Sequence, residues 1–159
     1  MKAKIKIIKN PLEIKKDFIE IYKSAYQGTD PEYYEQTDEE IETYFNWLYK
    51  HAQDGFIFLY LNKNPVGFAV VDFDWYDDKL KEMVAEIHEI CIKKEYQNKG
   101  LAKFLIEKIF ELAKKKKLNY VCGYVGVKNF QSLKFFKKFG FEENEIRWQI
   151  WRRIRKRLF

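Results

Sequence analysis

Residues 95–117 read EYQNKGLAKFLIEKIFELAKKKK. Leu101, Phe104, Leu105, Ile109 and Leu112 recur at helical spacing, so the stretch predicts an amphipathic helix. Gly100 stands at its start, although glycine costs a helix about 1 kcal/mol relative to alanine. A helix N-terminus presents unpaired backbone N–H groups and a partial positive charge, and can hold an anion where no side chain blocks the approach. Gly100 removes that side chain, Lys99 adds a charge, Ala102 keeps the next close position small, and Gln97 can supply a further amide. The segment therefore reads as a phosphate cradle following a strand. It is neither GxxxxGK[ST] nor GxGxxG. The alternative is a helix start with an incidental glycine.

Upstream, Ala3 to Ile8 alternates lysine with apolar residues, as a strand with one buried face does. Pro11 suits the first turn of a helix with Ile14, Phe18, Ile21, Tyr22 and Ala25 on one face, ending near Gly28. Thr37 and Glu40 form a capping-box signal before Ile41, Tyr44, Phe45, Leu48 and Ala52. Two aromatic and β-branched runs around Asn62-Lys63-Asn64-Pro65 predict an antiparallel hairpin. AEIHEICI (residues 85–92) predicts a third strand of that group. Downstream come a strand YVCGYVGV, a short helix QSLKFFKKF, and the strands GFEENEI and WQIWRRI. The order is β-α-α-β-β-β-α-β-α-β-β, an α/β domain spanning residues 1–159 with a mixed, mostly antiparallel sheet flanked by helices.

With 159 residues, 47% hydrophobic and 18% aromatic, the chain can bury a core. No apolar run approaches the roughly 20 residues of a membrane span, and MKAKIKIIKNP is no secretory leader, which implies a soluble, cytoplasmic protein. Cys91 and Cys122 lie in apolar runs without metal-ligand spacing, so buried thiols and no metal are expected. The net charge of +6 divides along the chain. Glu32, Glu35, Asp38, Glu39, Glu40 and Glu42 crowd one segment and Asp72, Asp74, Asp77 and Asp78 another, while lysine and arginine dominate from Lys93 onward. The tail WRRIRKRLF raises nucleic-acid binding, but reads more simply as a last strand with a charged end.

ICIKKEYQNKGLAKFLI resembles the acetyl-CoA-binding motif of the GCN5-related N-acetyltransferases, Q/R-x-x-G-x-G/A, at Gln97, Gly100 and Ala102. NFQSLKFFKKFGF resembles the family's downstream pattern at Asn129, Ser132, Phe135, Gly140 and Phe141. The resemblance runs from about Ile5 to Arg152. It implies acetyl-CoA as co-substrate, with backbone groups of Ile90, Cys91 and Ile92 on the pantetheine arm. Gln97, Asn98, Lys99, Gly100, Leu101 and Ala102 would lie around the pyrophosphate, and Asn129 and Ser132 beyond the next strand. It implies an enzyme that acetylates a primary amine: a protein N-terminus, a lysine or a polyamine-like molecule. The alternative is a non-catalytic acyl-CoA-binding regulatory or scaffold domain. A homodimer is compatible with the family.

An alkylammonium with a pKa near 10 must lose a proton before it attacks a thioester, so a base is needed. Period-two alternation puts Glu86, His88 and Ile90 on one face of the strand and Glu89 on the other. Glu86 matches the glutamate base of the family's histone acetyltransferases and His88 a position used by some arylalkylamine members, so this pair is the expected base; the alternative is a solvated or hydrogen-bonded pair with no catalytic duty. Phe136 stands where the family usually has a tyrosine acid. Tyr124, where the ribosomal-protein alanine acetyltransferases have a glutamate, is the substitute acid, although a strand tyrosine also serves as packing. The segments that usually border the acceptor site in this family are the acidic ones here, which implies a cationic acceptor; the alternative is that acids at a helix start serve as ordinary caps.

Overall fold

The computed structural model describes residues 2–29 and 31–159; the side chain of Glu32 lies outside the described residues. Strand β1 (Ala3–Ile7) leads through a 3-10 turn at Pro11 into α1 (Lys15–Ala25), followed by α2 (Asp38–His51). Strands β2 (Phe56–Leu61), β3 (Asn64–Asp77) and β4 (Glu82–Ile92) form a meander. Then come α3 (Ala102–Lys115), β5 (Tyr120–Gly126), α4 (Phe130–Lys138), β6 (Glu142–Arg147) and β7 (Trp151–Arg157). The predicted order is the observed one. Thr37 and Glu40 close a reciprocal capping box on α2, each bond at 3.1 Å, satisfying donors that the first helical turn leaves unpaired.

Seven strands form one sheet in the order β1-β2-β3-β4-β5-β7-β6, antiparallel throughout except for the β4–β5 pair. Each face carries its own core. Phe18, Ile21 and Tyr22 of α1 and Ile41, Phe45 and Leu48 of α2 bury Phe56, Phe58, Phe68 and Cys91 on one side. Leu105, Ile106 and Ile109 of α3 and Leu133 and Phe136 of α4 cover Ile57, Val71, Ile87 and Val121 on the other. Both cysteines are free and buried.

Strand β4 breaks its own alternation. Val70 pairs with Glu89 and Val71 with Ile87, so His88 has no partner and forms a bulge. Beyond it the side chains exchange faces. Ile87 and Ile90 both pack toward α3, while Glu86 and Glu89 both face the α1/α2 side. The sequence expectation is thus corrected: Glu89, not Ile90, shares the face of Glu86 and His88. The β4–β5 ladder also stops here, pairing only Ala85, Glu86 and Ile87 with Val121, Cys122 and Gly123. The two strands then separate and leave a slot.

A second correction concerns WQIWRRI, whose first three residues are a turn. Trp148 and Gln149 have φ of 51° and 63°, the left-handed pair that a tight hairpin requires, and β7 starts only at Trp151. Strand β7 then runs to Arg157, paired to Tyr120, so the basic tail is mostly sheet.

Arg153 of β7 reaches across β5 to two carboxylates. It donates to Glu86 at 2.6 and 2.8 Å and to Asp77 at 2.9 Å, and all three residues are buried. The group ties the end of β3, the middle of β4 and β7 together. Replacing Arg153 by methionine leaves two buried carboxylates without their cation, and should cost about 3–5 kcal/mol in urea unfolding at pH 7. Adding Glu86→Gln should recover part of it. Unchanged stability of the single variant would show that the triad does not brace the sheet.

Candidate functional site

The exchange of faces at His88 sets Glu86, His88 and Glu89 at the floor of a cavity of about 940 Å³ on the α1/α2 side. Its walls are Tyr26 after α1, Tyr33, Tyr34 and Glu35 of the α1–α2 loop, Tyr44 and Trp47 of α2, Trp75 and Tyr76 of β3, Tyr124 of β5, and Arg147, Trp148 and Trp151 of the last hairpin. All four tryptophans and seven of the eleven tyrosines line it, whereas among the described residues none of the fourteen phenylalanines does. Aromatics with a polar edge are gathered where water and a ligand can reach them. A second cavity of about 70 Å³ occupies the slot between β4 and β5, lined by Ile90, Gly123, Asn129, Ser132 and Phe136, with Tyr26, Glu89 and Tyr124 among the residues common to both.

Three predicted groups stand in different environments from those expected. Glu86 is 2% exposed and its two oxygens are taken by Arg153. Burial pushes its carboxyl up, whereas burial of Arg153 is outweighed by Glu86 and Asp77, which raise the guanidinium pKa. These directions oppose each other; two bonds shorter than 3 Å to one guanidinium make the ionised pair the stable state. Glu86 is a neutralised structural carboxylate rather than an open base. His88 sits edge-on between Trp47 and Trp75, at 5.1 and 5.0 Å between ring centroids. Burial pushes its pKa down to about 4, and its Nε2 is buried with no hydrogen-bond partner among the described residues. It is neutral at pH 7 and a weak base. Tyr124 accepts from Arg147 at 3.0 Å and stacks under the Arg153 guanidinium at 4.5 Å, with burial raising its pKa. The residue lines both cavities, its hydroxyl held by Arg147.

Glu89 stands on the face opposite to the one that strict alternation predicts, because of the bulge at His88. Tyr26 donates to one of its oxygens and Tyr44 to the other at 2.9 Å, with the Tyr44 hydroxyl also 3.1 Å from the His88 carbonyl. Burial pushes Glu89 up to about 7, which the two tyrosine hydrogen bonds only partly offset. No lysine or arginine lies within 4.0 Å of it among the described residues. A carboxylate whose pKa is raised toward 7 beside a cavity is a candidate general base.

The residues predicted for the cofactor lie around the start of α3, along β4 and at the start of α4. Gly100 has φ +74°, and a Cβ there would meet nothing within 4 Å, so glycine is required by the backbone and the space before it is open. Asn98 is also left-handed, at φ 61°. Helix α3 begins at Ala102 with no side-chain cap, leaving its first N–H groups available to an anion. Lys99 lies 5.9 Å from the Tyr96 ring, and Leu101 packs on the α3 core. Gln97 departs from expectation: its amide donates to the Ala25 and Ile92 carbonyls at 3.1 and 2.8 Å, so it braces the loop against α1. Asn98 accepts from Gln131 at 2.9 Å, and the Asn129 side chain caps α4 by accepting from Ser132 N–H at 3.1 Å. Past Ile87 the β5-facing edge of β4 is unpaired, which leaves Ile90 and Cys91 on a free strand edge beside the slot. Open glycine, uncapped helix start and free strand edge all fit a phosphorylated, amide-bearing arm.

The sequence pattern of the Acetyltransferase (GNAT) family matches residues 15–141, and the chain belongs to that family. It is 40% identical over 142 residues to an uncharacterized N-acetyltransferase of Methanocaldococcus jannaschii, covering 89% of this chain and 62% of that protein, so the chain spans under two thirds of that relative. The crystal structure of PH1933 from Pyrococcus horikoshii is similar with a TM-score of 0.87 at 30% identity, over 98% of each chain. The PaiA N-acetyltransferase of Thermoplasma acidophilum, crystallised with coenzyme A, shares the fold with a TM-score of 0.74 at 18% identity, over 99% of each chain.

If the α3 start holds a pyrophosphate, Gly100→Glu should reduce coenzyme A affinity by at least about tenfold in calorimetry, from lost fit and added negative charge. Gly100→Ala separates the backbone strain, which costs about 1–2 kcal/mol of stability. Parent affinity in a folded Gly100→Glu protein would overturn the cradle.

Proposed function

We propose that this chain is an acetyl-CoA-dependent N-acetyltransferase whose acceptor is a cationic primary amine, with Glu89 as the general base. The observation that carries this reading is the Glu89 carboxylate, desolvated and bonded to Tyr26 and Tyr44 where the wide cavity meets the β4–β5 slot. An acyl arm entering along the free edge of β4 would bring its thioester to this junction. An amine in the wide cavity would meet it there, lose a proton to Glu89 and attack the carbonyl carbon.

The charge of the cavity supports a cationic acceptor. Asp77 and Glu86 are matched by Arg153, but Glu35, Glu40 and Glu89 have no lysine or arginine within 4.0 Å among the described residues. Tyrosine and tryptophan faces add attraction for an ammonium group. A protein N-terminus, a lysine and a polyamine-like molecule all have this chemistry. The competing reading, a non-catalytic acyl-CoA-binding domain, predicts cofactor binding without turnover.

The test is thiol release from acetyl-CoA with spermidine, phenethylamine, a lysine amide and a short peptide with a free N-terminus. At least one should turn over; none doing so, with coenzyme A bound, would favour the non-catalytic reading. For the best acceptor, kcat/KM should rise with pH on a limb near pH 7, because Glu89 acts only when deprotonated. The titratable groups facing it are Tyr22 and Tyr26 at α1, Tyr44 of α2, Glu35 of the loop, and Glu86, His88 and Cys91 of its own strand. Burial pushes Glu89 up to about 7 and His88 down to about 4. Glu89→Gln should lower the rate by about 10²–10⁴-fold and abolish the limb. His88→Gln should keep the limb; a limb lost there and kept in Glu89→Gln would reverse the assignment.

A further inference from the structure

Phe136 leaves α4 without a proton to give at the place where the family resemblance puts an acid. Its ring is packed against Phe135 and Phe141 at 5.2 and 5.1 Å and borders the slot. Tyr26 stands across the same slot. It follows the last turn of α1, held between Tyr22 and Tyr34 at ring distances of 4.7 and 5.5 Å. Its hydroxyl donates to Glu89, and it lines both the slot and the wide cavity. Tyr44, the other tyrosine on Glu89, lines only the wide cavity. One hydroxyl is therefore hydrogen-bonded to the base and also open to the channel through which a thiol would leave.

We propose that Tyr26 is the proton donor to the departing thiolate, and that it is reprotonated by Glu89, so that the amine proton reaches sulfur through a Glu89–Tyr26 relay. This rests on the reading of Glu89 as the base. The bookkeeping closes without a further reactant. The ammonium proton that Glu89 takes from the cationic acceptor is first released to water; the neutral amine nitrogen then forms the C–N bond, and the C–S bond of the thioester breaks with its electron pair going to sulfur. The proton shed by nitrogen goes to the Glu89 carboxylate. The Tyr26 O–H proton goes to sulfur, and the Glu89 carboxylic acid returns a proton to the Tyr26 oxygen. The products are the amide and the free thiol, with both side chains restored. Tyr26 is a weak acid by itself, because burial and then the Glu89 charge raise its pKa. Once Glu89 carries the amine proton that charge is gone, so the donor becomes competent when the thiolate forms.

The test uses the full chain, acetyl-CoA and the fastest acceptor of the four-amine panel, with coenzyme A affinity measured to confirm each variant's fold. Tyr26→Phe keeps the ring and removes the proton, and should lower kcat about 10- to 100-fold, toward the lower end for acid catalysis because a thiol is a tolerable leaving group. The loss should persist at pH 9, where Glu89 is deprotonated in every variant that retains it. Tyr44→Phe removes a bond to Glu89 without removing the slot hydroxyl, so its loss should diminish at pH 9. Adding Phe136→Tyr to Tyr26→Phe should recover at least part of kcat by supplying a donor from α4. Tyr26→Phe at parent rate at pH 9, or no recovery by the added Phe136→Tyr, would overturn the relay while leaving a slow Glu89→Gln, and hence the base, intact. Parent rate in Glu89→Gln would instead remove the base and the relay together.

Discussion

The site depends on one residue of β4 that has no partner on β3. A strand that kept its register past Ile87 would send Glu89 into the aliphatic core under α3, where a carboxylate has no hydrogen-bonding partner, and would continue its ladder with β5. The bulge at His88 reverses both outcomes. It turns Glu89 toward the tyrosines of α1 and α2, turns Ile90 into the core, and opens the strand edge along which an extended arm can lie. The Glu89 carboxylate, the slot and the wide cavity, proposed as base, thioester channel and acceptor site, thus share one local cause.

Two carboxylates on the same face of the same strand, three residues apart, then acquire different chemistry from their neighbours. Glu86 receives a guanidinium and is fixed as an anion that joins three strands. Glu89 receives two hydroxyls and no cation, so its burial is only partly compensated. Its shift from 4.5 to about 7 corresponds to about 3 kcal/mol of differential interaction. The sign is destabilising: the folded pKa lies above the unfolded one, so the folded state loses favour as pH rises from about 4.5 to 7, and the cost is complete above 7. Part of the fold's stability is exchanged for a carboxylate that titrates where an amine must be deprotonated. Separating the pKa values of two nearby acids by environment is a general route to distinct roles.

Most of the fold was legible because it follows from short-range signals: the capping box at Thr37, the Asn62-Lys63 turn, the helical spacing after Gly100 and the alternation in β1. The site was legible in location but not in detail. Gly100 and Ala102 mark the α3 start whatever the tertiary structure, but the two carbonyls that occupy Gln97 belong to α1 and β4 and have no local signature. Glu86 and His88 looked like a catalytic pair because Arg153, 67 residues away in the chain, could not be placed against Glu86 without the sheet order. The sequence does carry one local sign of the bulge. In AEIHEICI the polar-apolar alternation fails at His88-Glu89, two polar residues in succession, which is how an inserted strand residue appears in sequence. The sequence predicts strand at Trp148 because aromatic residues favour strands, whereas the backbone there makes the turn between β6 and β7.

The central claim is that the bulge places Glu89 in a desolvated position beside two tyrosine hydroxyls, and its most direct measurement is the titration of that one carboxyl. Carbon-13 NMR of glutamate-labelled protein, with the Glu89 resonance assigned by its absence in Glu89→Gln, reports the pKa without acceptor or turnover. A midpoint near pH 7 is the expected result. A midpoint near 4.5, the ordinary glutamate value, would mean that Glu89 is solvated and that the face exchange at His88 does not create the base.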